Sequence, residues 1–111
     1  MSEFALLFRG DQPQQSPDEM QKQMQRWGVW MKELQDKGCF KGGQPLERTG
    51  QVVNRQKVVT DGPYAEAKDL IGGFMLIEVR DIQQATEVAK GCPIFLSGGF
   101  VEVRPVMKLN P

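Results

Sequence analysis

The chain has 111 residues, 40% of them hydrophobic, which suits one domain, residues 1–111, built around one core. Its 14 Lys and Arg residues balance its 14 Asp and Glu residues, so no net field attracts nucleic acid or a membrane surface, and we predict neither as a direct partner. The absence of histidine excludes histidine-based triads and the commonest metal ligand.

The N-terminus has no basic segment followed by an apolar run, and nowhere do about 18 apolar residues run together. We therefore expect a cytoplasmic protein. Cys39 and Cys92 are far apart and belong to no Cys-x-x-Cys motif. We predict two free, inert thiols, no metal site and no cofactor.

The first predicted strand, residues 4–8, is apolar at both alternating positions, which indicates a central strand covered on both faces. A helix is predicted to follow, because Ser16, Pro17 and Glu19 supply an N-cap, a first-turn proline and a capping box. Apolar residues then recur at spacings of three and four and predict one face packed on a sheet, widened by Trp30. This stripe consists of Met20, Met24, Trp27, Met31 and Leu34.

A glycine, Gly28, interrupts this helix. It costs about 1 kcal/mol relative to alanine, so it indicates either close packing or a gap beside Trp27. Lys37-Gly38 is the predicted end of the helix.

Short strands separated by turns are predicted between the first helix and residue 60. They are residues 39–41, 44–48, 51–54 and 57–60. The last two are expected to pair as an extra hairpin with its tip at residues 54–56. The run stops at Asp61-Gly62-Pro63, which predicts a rigid turn because glycine permits unusual backbone angles and proline fixes its own φ.

The C-terminal half repeats the pattern of strand, helix and strand. Residues 74–79 predict a second central strand, and a second helix is expected to begin at Asp81 and to end before Pro93. In the last predicted strand, residues 100–106, valines alternate with Glu102 and Arg104, and Pro105 indicates an edge position.

This order predicts an α+β fold, the ferredoxin-like βαββαβ arrangement with an antiparallel sheet and an extra hairpin. Two helices cover only one face of such a sheet, yet the strands carry apolar residues on both faces. We therefore predict a homodimer in which the two sheets face each other. The glycine pairs at residues 42–43, 72–73 and 98–99 open no helix, so they predict turns and not a phosphate loop.

Three motifs, in order along the chain, resemble the DGPF-domain branch of the YCII-related family. They are residues 59–68 around Asp61-Gly62-Pro63-Tyr64, residues 72–79 beginning with Gly72-Gly73-Phe74, and residues 101–106. The resemblance covers nearly the whole chain and implies a small bacterial protein with a dimeric α+β barrel fold. It also implies free-standing relatives, most of them without a known activity.

The chain departs from the family pattern at two places. Tyr64 stands where the branch has phenylalanine, which keeps the ring and adds a hydroxyl. The wider family is associated with a His-Asp pair whose histidine lies on the first helix, and this chain has no histidine to supply it.

The Asp61 turn is the predicted site, with two interpretations for each polar residue. Asp61 either acts as a base or ligand acceptor, or only caps backbone N–H groups of the turn. Glu66 and Lys68 either bind a ligand or pair with each other in solvent. Arg104 is expected to meet Asp61 or Glu66 across the sheet, as a structural pair or as an anion site.

We expect a homodimeric small-molecule-binding or regulatory module with a pocket between the sheet and the first helix. The pocket residues are predicted to be Trp27, Met31, Asp61, Tyr64, Glu66, Phe74 and Arg104. One alternative is a lyase or isomerase with Asp61 as base and Tyr64 as acid. The other is a structural dimer that contacts a protein partner.

Overall fold

A computed structural model describes residues 1–10, 15–66 and 69–109 of the chain. Lys68, one of the charged residues considered above, lies outside the described residues. The elements in chain order are β1 (Ser2–Arg9), α1 (Pro17–Asp36), β2 (Phe40–Pro45), β3 (Gly50–Val53), β4 (Val59–Gly62), β5 (Ile71–Val79), α2 (Ile82–Lys90), a 3₁₀ helix (Pro93–Ser97) and β6 (Phe100–Pro105). Neither α-helix in these ranges is long and apolar enough to cross a bilayer.

Four strands form one antiparallel sheet in the order β2-β5-β1-β6, and β3 and β4 form a separate two-stranded sheet. This confirms the ferredoxin-like α+β fold with an extra hairpin. It also confirms that the two strands with apolar residues at both parities, now β1 and β5, are central, and that the strand containing Pro105 lies at an edge.

The core lies between the sheet and its two helices. Alternate residues Phe4, Leu6 and Phe8 of β1 are buried there, next to Met75 and Ile77 of β5. The intervening residues, such as Ala5 and Leu7, face the other side of the sheet and are half-buried. The prediction of apolar residues on both faces is confirmed for these two strands.

Both predicted helix starts are confirmed by their caps. The Ser16 hydroxyl accepts a hydrogen bond from the Glu19 backbone N–H at 3.2 Å, and an Asp81 carboxylate oxygen accepts one from the Gln84 N–H at 2.9 Å. These side chains satisfy N–H groups that have no partner inside the first turn.

The buried stripe of α1 differs from the predicted one at its N-terminal end. Met20 and Met24 are exposed, whereas Gln23 is buried with only 8% of its surface exposed. The stripe therefore runs through Gln23, Trp27, Trp30 and Leu34. Gln23 can be buried there because its side-chain amide has a partner in the protein: Nε2 donates to the Pro93 carbonyl at 2.7 Å.

Two predictions in the middle of the chain were wrong. Residues 39–41 and 44–48 do not form two strands, because Gly42 and Gly43 adopt φ values of 137° and 156° that let β2 continue through them to Pro45. Asp61 and Gly62 do not form a turn after the strand. They belong to β4, where Asp61 pairs with Gln51, and the ladder stops at Pro63, which has no N–H to donate.

The hairpin itself forms where it was predicted. Val53 pairs with Val59, and the side-chain oxygen of Asn54 accepts hydrogen bonds from the backbone N–H groups of Gln56 and Val58, both at 2.9 Å. This hairpin lengthens the molecule, whose extents are 48 × 43 × 18 Å and whose radius of gyration is 15.5 Å. A compact domain of this length would have a radius of about 13 Å.

Candidate functional site

A cavity of about 460 Å³ lies between α1 and the end of the sheet where β1 finishes and β5 begins. We refer to it as the α1 cavity. Its helical wall consists of Met24, Trp27, Gly28 and Met31. Its strand wall includes Phe8, Phe40, Gly43, Gly73, Phe74 and Met75.

The walls of the α1 cavity are almost entirely apolar. Among the described residues that line it, none is titratable. Gln44 is the lining residue with a polar amide, and its pairing with Phe74 turns that side chain toward the other face of the sheet. A site of this kind suits an uncharged ligand, because burying an unpaired charge against apolar walls is costly.

An aromatic cluster fixes the position of Trp27 in this wall. The ring centroids of Phe8 and Trp27 are 5.0 Å apart at an interplanar angle of 87°, and those of Trp27 and Trp30 are 5.6 Å apart at 82°. Edge-to-face contacts of this type add about 0.5–1.5 kcal/mol to the burial of the rings. The indole of Trp27 is therefore held in place before any ligand binds.

Gly28 leaves open space beside Trp27. A β-carbon built at this position meets no heavy atom within 4 Å, so the second of the two sequence interpretations, a gap, is the one observed. Gly43 differs, because its φ is positive and a β-carbon there would lie 2.8 Å from the Cα of Met75. The fold therefore requires glycine at residue 43, whereas alanine would fit at residue 28.

Three of the predicted pocket residues, Trp27, Met31 and Phe74, line this cavity. The side chain of Phe74, which pairs with Leu7, lies on the other face of the sheet. The structure does not bring the polar ones there. Asp61 and Glu66 are exposed, and the ring of Tyr64 is 91% exposed. Asp61 lies on the separate hairpin, which explains why it does not reach the cavity wall of its own chain.

Arg104 does not meet Asp61 or Glu66. It faces solvent on β6 and forms an ion pair with Glu102 at 3.6 Å. Among the described residues, a half-buried arginine–carboxylate pair forms instead between Arg9 and Glu102, and it was not predicted from the sequence. The signal was present in the alternation of β1, where Arg9 shares a face with Ala5 and Leu7.

Both cysteines are free and buried, as predicted. Burial raises the pKa of the Cys92 thiol to about 12, and a backbone hydrogen bond at Ile94 lowers it by less. A neutral thiol is a poor nucleophile. Within the described ranges, no three Cys, Asp or Glu residues lie close enough together to hold a metal ion.

Comparison with known proteins identifies a family and relatives of known structure. The model of the YCII-related domain matches residues 3–110. The structure of 5-chloro-2-hydroxyhydroquinone dehydrochlorinase (TftG) from Burkholderia phenoliruptrix AC1100, in complex with 2,5-dihydroxybenzoquinone, is 19% identical. The match covers 94% of this chain and 93% of that one, with a TM-score of 0.49. Comparison with curated protein sequences finds no match.

Proposed function

The chain belongs to the YCII-related domain family, and from that premise we propose that it is a homodimeric module that binds a small, uncharged, ring-containing molecule in the α1 cavity. The observation that carries the proposal is Gly28. Glycine in the middle of a helix costs about 1 kcal/mol relative to alanine. Neither backbone geometry nor packing requires it here, so its contribution is the volume it leaves beside Trp27.

The form of the walls supports a ring-containing ligand. Trp27 offers a flat surface that the aromatic cluster already holds in place, and two methionines, Met24 and Met31, flank the open space beside Gly28. Methionine adapts its shape and makes favourable contacts with aromatic rings.

The second face of the sheet supports the homodimer. It carries the half-buried apolar side chains of Ala5, Leu7 and Leu76, and neither helix packs on that side. The same face also carries both signs of charge, in the pairs Arg9–Glu102 and Lys41–Glu78. A surface that is apolar at its centre and carries both signs of charge complements a second copy of itself about a two-fold axis.

An acid–base enzyme has less support. Asp61, the base of that alternative, and Tyr64, its acid, are exposed and line no part of the α1 cavity of their own chain. The arrangement of the described residues therefore favours binding over catalysis by this pair.

The proposal is tested by a substitution on α1 whose larger side chain fills the α1 cavity. We would titrate the ¹⁵N-labelled protein with 2-naphthol and follow the indole N–H resonance of Trp27. Gly28→Leu should remain folded and lose this response, because its side chain occupies the space of the ligand. Gln35→Leu adds the same side chain at an exposed position of α1 and should bind as the wild type does. Equal binding by Gly28→Leu, or no response of Trp27 to 2-naphthol or to other neutral ring compounds, would reject the proposal.

A further inference from the structure

A second concave surface lies on the other side of α1, between this helix and the 3₁₀ helix. It is a groove of about 570 Å³ and takes no part in the α1 cavity. We refer to it as the Trp30 groove. One wall presents Lys22, Arg26 and Trp30, and the opposite wall presents Pro93 and Leu96.

The first wall is a row of hydrogen-bond donors. Residues 22, 26 and 30 are spaced by four, so their side chains lie above one another on one helix face, about 6 Å apart along its axis. Neither Lys22 nor Arg26 forms an ion pair with any residue that the structure describes. The donor groups of these two positive charges are therefore not held by a carboxylate of the described residues.

Gln23 holds the guanidinium of Arg26 in position. Arg26 Nη1 donates to Gln23 Oε1 at 3.1 Å, and Gln23 Nε2 donates to the Pro93 carbonyl at 2.7 Å. Burial of a glutamine side chain is uncommon, and this one links both walls of the groove through one amide. The remaining N–H groups of Arg26 are left available in an oriented guanidinium.

Trp30 supplies a neutral donor next to this charge. Trp30 is only 6% exposed, and its indole N–H donates to no atom of the described residues. No fully enclosed side-chain nitrogen in the described part of the chain lacks a hydrogen bond, so this N–H still reaches solvent. Gly91 keeps it accessible on the groove side, because a β-carbon at Gly91 would lie 3.2 Å from the indole nitrogen.

Apolar side chains lie along both walls, and two of them are exposed. Leu96 is 70% exposed, and Val29 on α1 is 61% exposed. Glu33 lines the end of the groove beyond Trp30 and disfavours a second negative charge there. The groove therefore combines cationic and neutral donors at one end with apolar side chains along its length.

We propose that the Trp30 groove binds a small monocarboxylic acid with an apolar body, the carboxylate lying against Arg26 and the indole N–H of Trp30. Charge-assisted hydrogen bonds from a guanidinium orient a carboxylate, and Lys22 adds attraction from one turn away. Leu96, Pro93 and Val29 cover the apolar body. The site is independent of the α1 cavity, so each of the two proposals can fail without the other.

The test uses 4-phenylbutyrate as the probe and 4-phenylbutanol as its uncharged counterpart. The ¹⁵N-labelled full chain is titrated with each, and the indole resonance of Trp30 is followed after it has been identified in a Trp27→Phe variant. The carboxylate should shift this resonance in a saturable manner, and the alcohol should leave it in place.

Variants inside and outside the Trp30 groove show whether the resonance shift comes from binding in this groove. Arg26→Gln should weaken binding about tenfold, the loss expected for one charge-assisted hydrogen bond. Gly91→Ala should weaken it as well, because its methyl group covers the indole nitrogen. Lys32→Gln removes an exposed charge from α1 outside the groove and should bind normally, as should Gly28→Leu, which fills only the α1 cavity.

Three results with these probes would overturn the proposal, and a fourth comes from an acidic peptide. They are an equal response of Trp30 to the alcohol, undiminished affinity in Arg26→Gln, and the absence of any saturable shift at millimolar 4-phenylbutyrate. Binding of a blocked acidic peptide in place of the free carboxylate would likewise overturn it, since the groove would then serve a protein partner.

Discussion

Arg9 and Glu102 form an ion pair across the β1–β6 ladder, with 2.7 Å between Nε and Oε1 and with side chains only 25% and 34% exposed. Arg9 also donates from Nη1 to the Asp69 carbonyl at 2.7 Å, and Arg104 approaches the other oxygen of Glu102 at 3.6 Å. One guanidinium therefore joins the edge strand β6 to the segment that leads into β5.

Replacement of Arg9 by methionine should lower the free energy of unfolding by about 1–2 kcal/mol, because two charge-assisted hydrogen bonds are lost and Glu102 stays half-buried. Urea unfolding at a fixed protein concentration measures the change. Lys32→Met is the matched control, since its pair with Asp36 is 3.9 Å long and exposed, and should cost about 0.5 kcal/mol or less. Equal losses in both variants would show that the Arg9 pair contributes nothing particular to the fold.

Gly28→Ala should stabilise the protein by about 1 kcal/mol, because alanine is the better helix former and its methyl group enters open space. Thermal unfolding is a suitable measurement. Gly43→Ala should instead destabilise by about 2 kcal/mol or more, since its φ of 156° and the nearby Met75 backbone leave no room for a β-carbon. Destabilisation by Gly28→Ala would mean that residue 28 is constrained by packing and not reserved for a ligand.

Asp61→Asn and Tyr64→Phe should bind 2-naphthol within about twofold of the wild type, because both side chains are exposed and line no part of the α1 cavity of their own chain. Titration monitored at the Trp27 indole resonance gives the affinities. Met31→Ala is the positive control and should bind more weakly. A large loss in either of the first two variants would restore the Asp61 turn as part of the site.

If the proposed homodimer forms through the uncovered sheet face, Leu76→Glu should convert it to a monomer, because it places a charge on the apolar part of that face. Light scattering at micromolar protein concentration reports the mass. Ile82→Glu changes an exposed apolar residue on the helical side and should leave the proposed dimer intact. A wild-type protein that is monomeric at this concentration would contradict the proposed assembly.

The raised pKa of Cys92 makes stability depend on pH in the alkaline range. The folded thiol has a pKa of about 12, whereas an exposed cysteine thiol has a pKa near 9.0, so between these pH values the unfolded chain loses its proton first. The stabilisation is complete below about pH 9 and decreases as the pH rises toward 12. Urea unfolding at several pH values should show this decline in the wild type, and Cys92→Ala should reduce it; identical pH profiles would exclude Cys92 as its cause.

Features of the fold that follow from local chemistry were predictable from the sequence. Ser16 and Asp81 cap helices because a short polar side chain satisfies backbone N–H groups nearby. Apolar residues at both alternating positions correctly predicted the two central strands. The sequence predicted two short strands where β2 is one, because a pair of glycines is typical of a turn. Positive φ values at Gly42 and Gly43 instead let the strand continue through them.

The site was less predictable, because its polar residues act through partners distant in sequence. Gln23 is buried owing to the carbonyl of Pro93, which lies 70 residues away, and no helical periodicity reveals that bond. Asp61 looked like the end of a strand because the ladder that continues β4 depends on Gly50 and Gln51 of the partner strand. The apolar wall at Trp27 and Met31 followed from the helix pattern.

The separate β3–β4 hairpin also has a practical consequence. Its tip at residues 54–58 is exposed and is held by hydrogen bonds of the Asn54 side chain and backbone. None of these residues lines either concave surface. Exposed tips of this kind tolerate substitution well. Since both native thiols are buried, Arg55→Cys would give the protein one readily accessible attachment point, from which a spin label could report the distance between two associated copies.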